Sequence, residues 1–456
     1  MGFPPGPRWP SVIQTFLLLK SGQRWVESVS RRHGDLFTLR TLVFGTQVWT
    51  SDPALIQQIF TGDVAVLHAG EANSTARLLT GDTSVLVLDE APHKRMRKLL
   101  TPPFHGERMT RFAEEMGAVT RKVMSGWPAD RPFSLLPSMQ RITMEVIVAN
   151  VLGLREGPRR EELRRKLGAL MDTVASPAGA FFLIPSLQRD LGPFTPWRRL
   201  KRIFDELERV IYREIAERRA EVESGAAAGR DDVLTMLLEA RDEGGQGMSD
   251  REIRDQINTL VVAGHETTAT TLAWAFERVL SNPQVLDRLL REIEAATASG
   301  KSDAADLARL EYLDAIVKEV MRQRPSVPML GRKLTRPMTL RGHEIPAGAM
   351  VTAAIYLTHR RPDLYPEPEA FQPERFLGKK MDPYTYFPFG GGPRRCLGAA
   401  FATQEIKIVL GTVLGSLRLK LAREAPLPVS PRSVFMGPLG GTEVHLLGGR
   451  APAMAA

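Results

Sequence analysis

Apolar residues recur every three or four positions over much of the chain, the spacing of one face of an α-helix. Two runs show this spacing most clearly. The apolar positions of the first run are Leu200, Ile203, Phe204, Leu207, Ile211 and Ile215. Those of the second run are Ala402, Ile406, Val409, Leu410, Val413, Leu414 and Leu417. A third helix is predicted from Ser249, which forms a capping box with Glu252. No proline interrupts that segment before Pro283, so the helix can run for about thirty residues.

Strand patterns are short and few. Residues 36–39 and 43–49 are rich in β-branched and aromatic side chains and predict a β-hairpin. Residues 334–340 and 350–355 predict further strands, and Pro53 opens a short helix that ends at Phe60. The expected fold is therefore mainly α-helical with small β-sheets.

The composition favours one large domain. The chain has 456 residues, of which 43% are hydrophobic, so there is material for a large core. Proline and glycine are spread along the sequence, and we find no internal repeat or low-complexity linker. A single domain over residues 1–456 is predicted. The only cysteine excludes an internal disulfide and fits a reducing compartment, so a cytoplasmic location is expected.

The formal net charge of +9 suggests an acidic partner. Nucleic acid is disfavoured as a partner because lysine and arginine are interspersed with acidic residues and no basic tract with aromatic residues occurs. The apolar run at residues 12–19 is far shorter than the roughly 20 residues that span a bilayer, so no membrane anchor is predicted.

Cys396 is the residue with the strongest chemical signal. It follows three glycines and Pro393 and directly precedes the predicted helix whose apolar positions begin at Ala402. A helix N-terminus and the neighbouring Arg394 and Arg395 favour a thiolate over a thiol. The alternative is a small, inert, buried cysteine.

The middle of the long predicted helix is a poor helix sequence. Gly264 costs about 1 kcal/mol relative to alanine, and the adjacent Thr267 and Thr268 are β-branched. A locally unfavourable segment in an otherwise regular helix is expected at a functional site. The alternative is an ordinary bent helix.

Both segments resemble motifs of the cytochrome P-450 family. The cysteine segment matches Phe-x-x-Gly-x-Arg-x-Cys-x-Gly at Phe389, Gly392, Arg394, Cys396 and Gly398. The helix segment matches (Ala/Gly)-Gly-x-(Glu/Asp)-Thr at Ala263, Gly264, Glu266 and Thr267. The resemblance implies haem b, held between the long helix and the cysteine loop, with Cys396 as the axial ligand of the iron.

The resemblance also implies roles for other residues. Thr267 and Glu266 would hold water and relay protons to bound dioxygen, and Gly264 would leave room for a ligand over the iron. Further cofactor contacts would come from Ala263, Phe389 and a set of basic residues that hold the haem propionates. That basic set is His93, Arg97, Arg332 and Arg394.

A substrate pocket and a structural triad follow in the same way. Residues 62–88 lack a clean period and would cover the substrate, and the apolar loop at 177–185 would be a movable lid. The pocket-lining residues would be Thr268, Val327, Pro328, Met329, Leu330 and Phe435. Glu319, Arg322 and Arg375 would form a buried triad that fixes the cysteine loop; the alternative for the first two is an exposed helix pair.

The implied activity is that of a monooxygenase acting on a hydrophobic substrate such as a fatty acid, terpenoid, steroid or polyketide. It would use dioxygen and electrons from a ferredoxin- or flavodoxin-type donor with its reductase, docked at Lys94, Arg95 and Lys98, and a monomer is expected. A peroxide-driven peroxygenase is the first alternative, and retention of Glu266 and Thr267 argues against it. A non-catalytic haem sensor is the second, and the sequence shows no signalling module.

Overall fold

The computed structural model describes residues 2–104, 108–154, 156–175, 196–297, 304–432 and 435–450. Helices dominate these ranges. They are α1 Ser11–His33, α2 Pro53–Thr61, α3 Ala69–Ala72, α4 Arg77–Thr80, α5 Glu90–Leu100, α6 Arg108–Met124, α7 Leu135–Val151, α8 Pro158–Ala175, α9 Pro196–Glu223, α10 Val233–Glu239, α11 Asp250–Leu280, α12 Pro283–Thr297, α13 Ala304–Leu307, α14 Glu311–Gln323, α15 Ile355–Thr358 and α16 Ala399–Ser416.

The strands are short and form small sheets. They are β1 Leu36–Thr41, β2 Gly45–Thr50, β3 Leu67–His68, β4 Phe133–Ser134, β5 Leu330–Leu334, β6 Met338–Leu340, β7 His343–Ile345, β8 Met350–Ala353, β9 Leu417–Leu421, β10 Val429–Arg432, β11 Phe435–Pro438 and β12 Glu443–Gly449. The largest described sheet has the order β1-β2-β8-β5-β3, with β2 and β8 parallel. A second has the order β4-β12-β9, and β6–β7 and β10–β11 are hairpins.

Helix α11 passes through the core and is buried on nearly every side. It packs against α7, α14, α16 and α9, and Trp274 and Phe276 have no exposed surface. The helix begins as predicted: the Ser249 side chain accepts a hydrogen bond from the Glu252 N–H, and the Glu252 carboxylate accepts one from the Ser249 N–H. Because α11 is enclosed, any exposed side chain in its middle marks an internal opening.

A second packing unit positions the cysteine loop. Helix α2 lies between the β1-β2-β8-β5-β3 sheet and that loop, and its Phe60 packs edge-on against Phe387, with ring centroids 5.4 Å apart. Both rings are almost fully buried. The loop that carries Cys396 is therefore held against a rigid aromatic contact.

The predicted elements are largely confirmed. The hairpin pairs Leu36 with Thr50 in antiparallel register. The helices predicted from Pro53, over positions 200–215 and from Ala402 onward are α2, α9 and α16. The single strand predicted at 334–340 is wrong: β5 ends at Leu334 and β6 begins at Met338, because Pro337 cannot donate to a strand ladder.

Residues 62–88 are more ordered than predicted, since β3, α3 and α4 lie within them. The predicted lid at 177–185 lies outside the described residues. No helix among the described ranges has the length and apolar character needed to cross a membrane.

Candidate functional site

The cysteine loop folds back so that Cys396 lies just before α16. The Cys396 N–H donates to the Phe389 carbonyl at 2.9 Å, and the Arg395 N–H donates to the Gly392 carbonyl at 3.1 Å. The Phe389 ring packs against the hydrophobic core that α16 shares with α11 and α14. The first residue of the motif thus anchors the loop, and the closing hydrogen bond fixes the position of the cysteine.

The glycines of this loop are required by the closeness of α2. A Cβ atom at Gly391 would overlap the Phe60 ring, and one at Gly392 would overlap the Phe60 carbonyl oxygen. Gly392 also has φ +62°, a conformation that side chains strongly disfavour. The Gly-rich sequence therefore reflects a contact between the cysteine loop and α2.

Gly392→Ala is expected to destabilise the protein beyond the effect of backbone strain. Gly378 provides a matched control, because it has the same φ of +62° and no atom within 4 Å of the position of an added Cβ. Gly378→Ala should cost about 1–2 kcal/mol of unfolding free energy from strain, and Gly392→Ala about 1–3 kcal/mol more from overlap. Urea denaturation followed by circular dichroism measures both; equal losses in the two variants would contradict the contact.

The environment of the Cys396 sulfur differs from the expectation. The side chain is accessible to solvent, yet burial among protein atoms raises the pKa of its thiol. A hydrogen bond from the Gly398 N–H and the charges of Arg97 and Arg395 lower that pKa but do not outweigh burial. In this structure desolvation of the thiol exceeds the helix and arginine effects. The Cys396 thiolate as an iron ligand stays a prediction, because a bound metal would displace the proton.

Three basic side chains converge with His93 beside the cysteine loop. Burial, and then the charges of Arg394 and Arg97, lower the pKa of His93 to about 4, so its ring is neutral at pH 7. Burial and the nearby charge of Arg394 lower the pKa of Arg332 to about 10. The Arg97 guanidinium donates to the Arg395 carbonyl at 2.7 Å, which joins α5 to the cysteine loop. The structure thus brings together the whole predicted basic set.

Asp89 is a member of this site that the sequence reasoning missed. Its carboxylate binds the Arg394 guanidinium at 2.5 Å and accepts the backbone N–H groups of Gly70 and Glu71 at 2.8 and 2.9 Å. One carboxylate does not balance three arginines, so the cluster is suited to an additional anion. The sequence signal was an aspartate just before a helix, but its side chain caps α3 and not its own α5.

The middle of α11 is most open to solvent at Ala263. Ala263 is exposed, and Thr267 and positions 260, 262 and 264 are partly exposed, whereas the other positions from 257 to 271 are buried. The Thr267 hydroxyl donates to the Ala263 carbonyl at 2.6 Å. Gly264 has a different environment: an added Cβ would lie 3.2 Å from Ile147 Cδ1 of α7. Close packing of α7 is thus one reason for a glycine here, and the predicted role of Gly264 in leaving room for a ligand over the iron stays a prediction.

The next two side chains of α11 point toward α7. The Gln140 amide donates to the Glu266 carboxylate at 2.8 Å, and Thr143 Oγ1 lies 2.9 Å from His265 Nδ1. Glu266 and His265 are both buried, and burial lowers the pKa of His265 to about 4. Glu266 and Thr267 are therefore adjacent in sequence but have different hydrogen-bond partners.

The predicted pocket residues fall into three environments. Thr268 is 2% exposed and lies on a buried face of α11. Val327, Met329 and Leu330 are partly exposed, whereas the neighbouring Pro328 is buried and its carbonyl accepts the Tyr356 N–H at 3.0 Å. Phe435 begins β11, and its side chain lies outside the described set.

The predicted structural triad is assembled in the core. Arg322 binds Glu319 through two hydrogen bonds of 2.7 and 2.8 Å, and both side chains have no exposed surface. Arg375 Nε lies 3.6 Å from the same Glu319 carboxylate. The exposed helix pair that was the alternative is wrong for Glu319 and Arg322.

Most of the cations predicted to dock the electron donor already form ion pairs within the protein. Arg95 binds Asp242 at 2.6 Å and Glu252 at 2.8 Å, and Lys98 pairs with Glu243. Lys94 is exposed. The outward orientation predicted for Arg95 is wrong, because long-range ion pairs hold it against the start of α11.

The comparisons with known proteins agree on one family. A family model described as Cytochrome P450 matches residues 4–443. A Mycobacterium tuberculosis protein provisionally named cytochrome P450 135B1 is 41% identical, covering 98% of this chain and 92% of that protein. A second from the same species, provisionally named cytochrome P450 137, is 35% identical, covering 98% and 91%. The solved structure of retinoic acid-bound cyanobacterial CYP120A1 superposes with a TM-score of 0.83 at 25% identity, covering 98% of this chain and 99% of that one.

The cofactor of these proteins is iron protoporphyrin IX, and the described residues fit it. The accessible Cys396 thiol offers a soft axial ligand. The underbalanced cluster of His93, Arg97, Arg332 and Arg394 suits two carboxylates, and exposed Ala263 marks an opening along the central helix. On these grounds the chain belongs to the cytochrome P450 family of haem-thiolate monooxygenases.

Proposed function

We propose that this protein hydroxylates a hydrophobic substrate with dioxygen and two electrons delivered by a separate ferredoxin- or flavodoxin-type donor and its reductase. The observation that carries the proposal is the opening at Ala263, with the Thr267 hydroxyl one turn away in an otherwise enclosed helix. A hydroxyl at this place can hold water and pass protons. The proposed group of proton-relay residues is Thr267 with Glu266.

Each part of the chain has a defined task in this proposal. Cys396 binds the iron, and Arg97, Arg332, Arg394 and His93 hold the propionates. When bound, the haem supplies the oxidising power. Ala263, on α11, and Phe389, in the cysteine loop, would provide further contacts to the haem. The protein must then exclude water, position the substrate and deliver protons at the right place.

The substrate is proposed to be apolar over most of its surface. The partly exposed Val327, Met329 and Leu330 offer aliphatic contacts next to β5, and Thr268 and Phe435 remain predicted pocket residues. CYP120A1 was solved with retinoic acid, a hydrophobic molecule. This supports the same broad chemistry here, which includes fatty acids, terpenoids, steroids and polyketides.

The surroundings of the enzyme are proposals as well. A cytoplasmic monomer with one domain over residues 1–456 stays the prediction of the sequence. For the electron donor, exposed Lys94 and Arg395 are candidate contacts near Arg97. Lys94 precedes Arg97 by three residues on α5, and the Arg395 carbonyl accepts the Arg97 hydrogen bond. An acidic donor would be attracted by the net charge of +9.

The test compares two ways of driving the purified protein. We expect substrate-dependent oxidation of NADPH, with oxygen uptake, when a ferredoxin and its reductase are added with lauric acid, retinoic acid or testosterone as the probe. Hydrogen peroxide alone should give little product. Product formation that depends only on peroxide would assign the protein as a peroxygenase. Absence of oxygen uptake with any donor would favour a non-catalytic haem protein.

Thr267→Ala should uncouple electron use from product formation. A positioned proton donor typically contributes about 10²–10⁴-fold to the step it serves, so product per NADPH should fall by about tenfold or more while released hydrogen peroxide rises. Haem content should remain unchanged. Thr267→Ser is the matched control, because it keeps the hydroxyl that donates to Ala263. An alanine variant that couples as well as the serine variant would place the relay elsewhere.

A further inference from the structure

A triangle of oxygen atoms joins α11 to the segment that precedes β5. Ser326 Oγ lies 3.0 Å from the Thr267 carbonyl oxygen, and Thr271 Oγ1 lies 2.8 Å from the same oxygen. The two hydroxyl oxygens are 2.5 Å apart. Ser326 and Thr267 are 59 residues apart in the sequence, so these contacts connect two distant parts of the chain.

The triangle has three short contacts and two protons. Each hydroxyl carries one hydrogen, and the carbonyl carries none. Only two of the three contacts can therefore be hydrogen bonds at any time, and at least one hydroxyl donates to the Thr267 carbonyl in the usual arrangements. The surroundings limit access of water, because Thr271 is 5% exposed. Ser326 thus links the Thr267 carbonyl to a segment outside α11, either directly or through the Thr271 hydroxyl.

The two ends of the triangle belong to different parts of the proposed site. Thr267 carries the hydroxyl that donates to the Ala263 carbonyl. Ser326 directly precedes Val327, the first partly exposed aliphatic residue of the proposed pocket. A shift of the segment at Ser326 would move the Thr267 carbonyl, and with it the backbone that carries the Thr267 hydroxyl.

We propose that Ser326 and Thr271 are positioning residues that clamp the Thr267 backbone to the substrate-lining segment, so that the Thr267 hydroxyl is correctly placed only when both hydroxyls are present. The proposal rests on the proposed function, because it assigns the clamp to proton delivery in that reaction. Neither residue touches the reacting atoms in this scheme. Both act through Thr267.

The test removes one hydroxyl at a time. Ser326→Ala and Thr271→Val should each lower product per NADPH by about two- to tenfold, the effect of losing one net hydrogen bond, with little change in haem content. Thr271→Ser should retain the wild-type ratio. The double variant should lose little more than Ser326→Ala, because without the Ser326 hydroxyl the Thr271 hydroxyl no longer joins the Thr267 carbonyl to the segment before β5. The probe is whichever of lauric acid, retinoic acid and testosterone the wild type converts fastest.

Thr270→Val is the matched control. Thr270 is fully buried on the same helix, and its hydroxyl has no hydrogen-bond partner among the described residues. This variant loses an α11 hydroxyl without touching the triangle, so its product ratio should stay at the wild-type value. Equal losses in Thr270→Val and Thr271→Val would overturn the proposal, since any hydroxyl deletion in α11 would then have the same effect.

A second measurement does not depend on turnover. Hydrogen exchange of the peptide that covers residues 263–271 should become faster in Ser326→Ala and Thr271→Val and stay unchanged in Thr270→Val. If the wild type shows no oxygen-dependent product, the proposed function fails, and unchanged exchange would separately refute the clamp. Faster exchange with an unchanged product ratio in an active enzyme would reduce the triangle to a stability contact and refute its positioning role.

Discussion

Cys396→Ala is expected to abolish the red-shifted Soret band of the reduced, carbon monoxide-bound protein. That band requires a thiolate ligand on the haem iron. Cys396 is the only cysteine among 456 residues, so no other thiol can take its place. A thiolate ligand donates electron density that favours O–O cleavage; the variant should therefore lose its monooxygenase activity entirely, even if some haem remains bound.

The matched control for this prediction is Arg395→Ala. Arg395 is the exposed neighbour whose charge lowers the pKa of the Cys396 thiol, so the change alters the electrostatics and keeps the sulfur. The control should retain the red-shifted band. Cys396→Ser should lose it, although serine preserves the size of the side chain. Persistence of the band in Cys396→Ala would show that the axial ligand has been assigned to the wrong residue.

Sequence patterns predicted the elements whose information is local. The capping box, a motif of four residues from Ser249 to Glu252, determines where α11 begins. The Gly-rich motif before Cys396 similarly fixes a loop that leads into α16. Local hydrogen bonds and backbone preferences determine such features, so periodicity and residue type were sufficient to find them.

The features that were missed depend on residues far apart in the chain. Glu266 is bound by Gln140, 126 positions away, and Arg95 is bound by Glu252, 157 positions away. Nothing in the sequence around either partner specifies the other. The local sequence also does not show that burial raises the pKa of the Cys396 thiol. Desolvation depends on how the whole chain packs, whereas the helix and arginine effects were visible in the local sequence.

Burial also explains why the Glu319–Arg322 ion pair is expected to contribute more to stability than an exposed ion pair on a helix surface. The Arg322 guanidinium binds Glu319 and additionally donates to the His359 and Pro368 carbonyls, each at 2.8 Å. Glu319 also accepts the Gln372 N–H at 3.0 Å. This arrangement ties α14 to the segment that leads to the cysteine loop, and all of its charge lies away from water.

Arg322→Ala is therefore expected to lower the free energy of unfolding by about 3–5 kcal/mol, the cost of removing the directly bonded partner of a buried ion pair. Only Arg375, 3.6 Å from the Glu319 carboxylate, remains as a counter-charge. Urea denaturation followed by circular dichroism measures the loss. Arg31→Ala provides the matched control, because its 2.7 Å pair with Glu27 lies on the surface and should be worth less than about 1 kcal/mol.

The source of that loss can be separated by neutralising the remaining carboxylate. If the buried Glu319 charge, balanced only by the more distant Arg375, dominates the loss, adding Glu319→Gln to Arg322→Ala should restore part of the stability, because a neutral amide is cheaper to bury than a carboxylate. If the double variant is no more stable than Arg322→Ala, the lost donors to His359 and Pro368 carry the cost instead. A loss below about 1 kcal/mol in Arg322→Ala itself would contradict the buried, charged state on which both explanations depend.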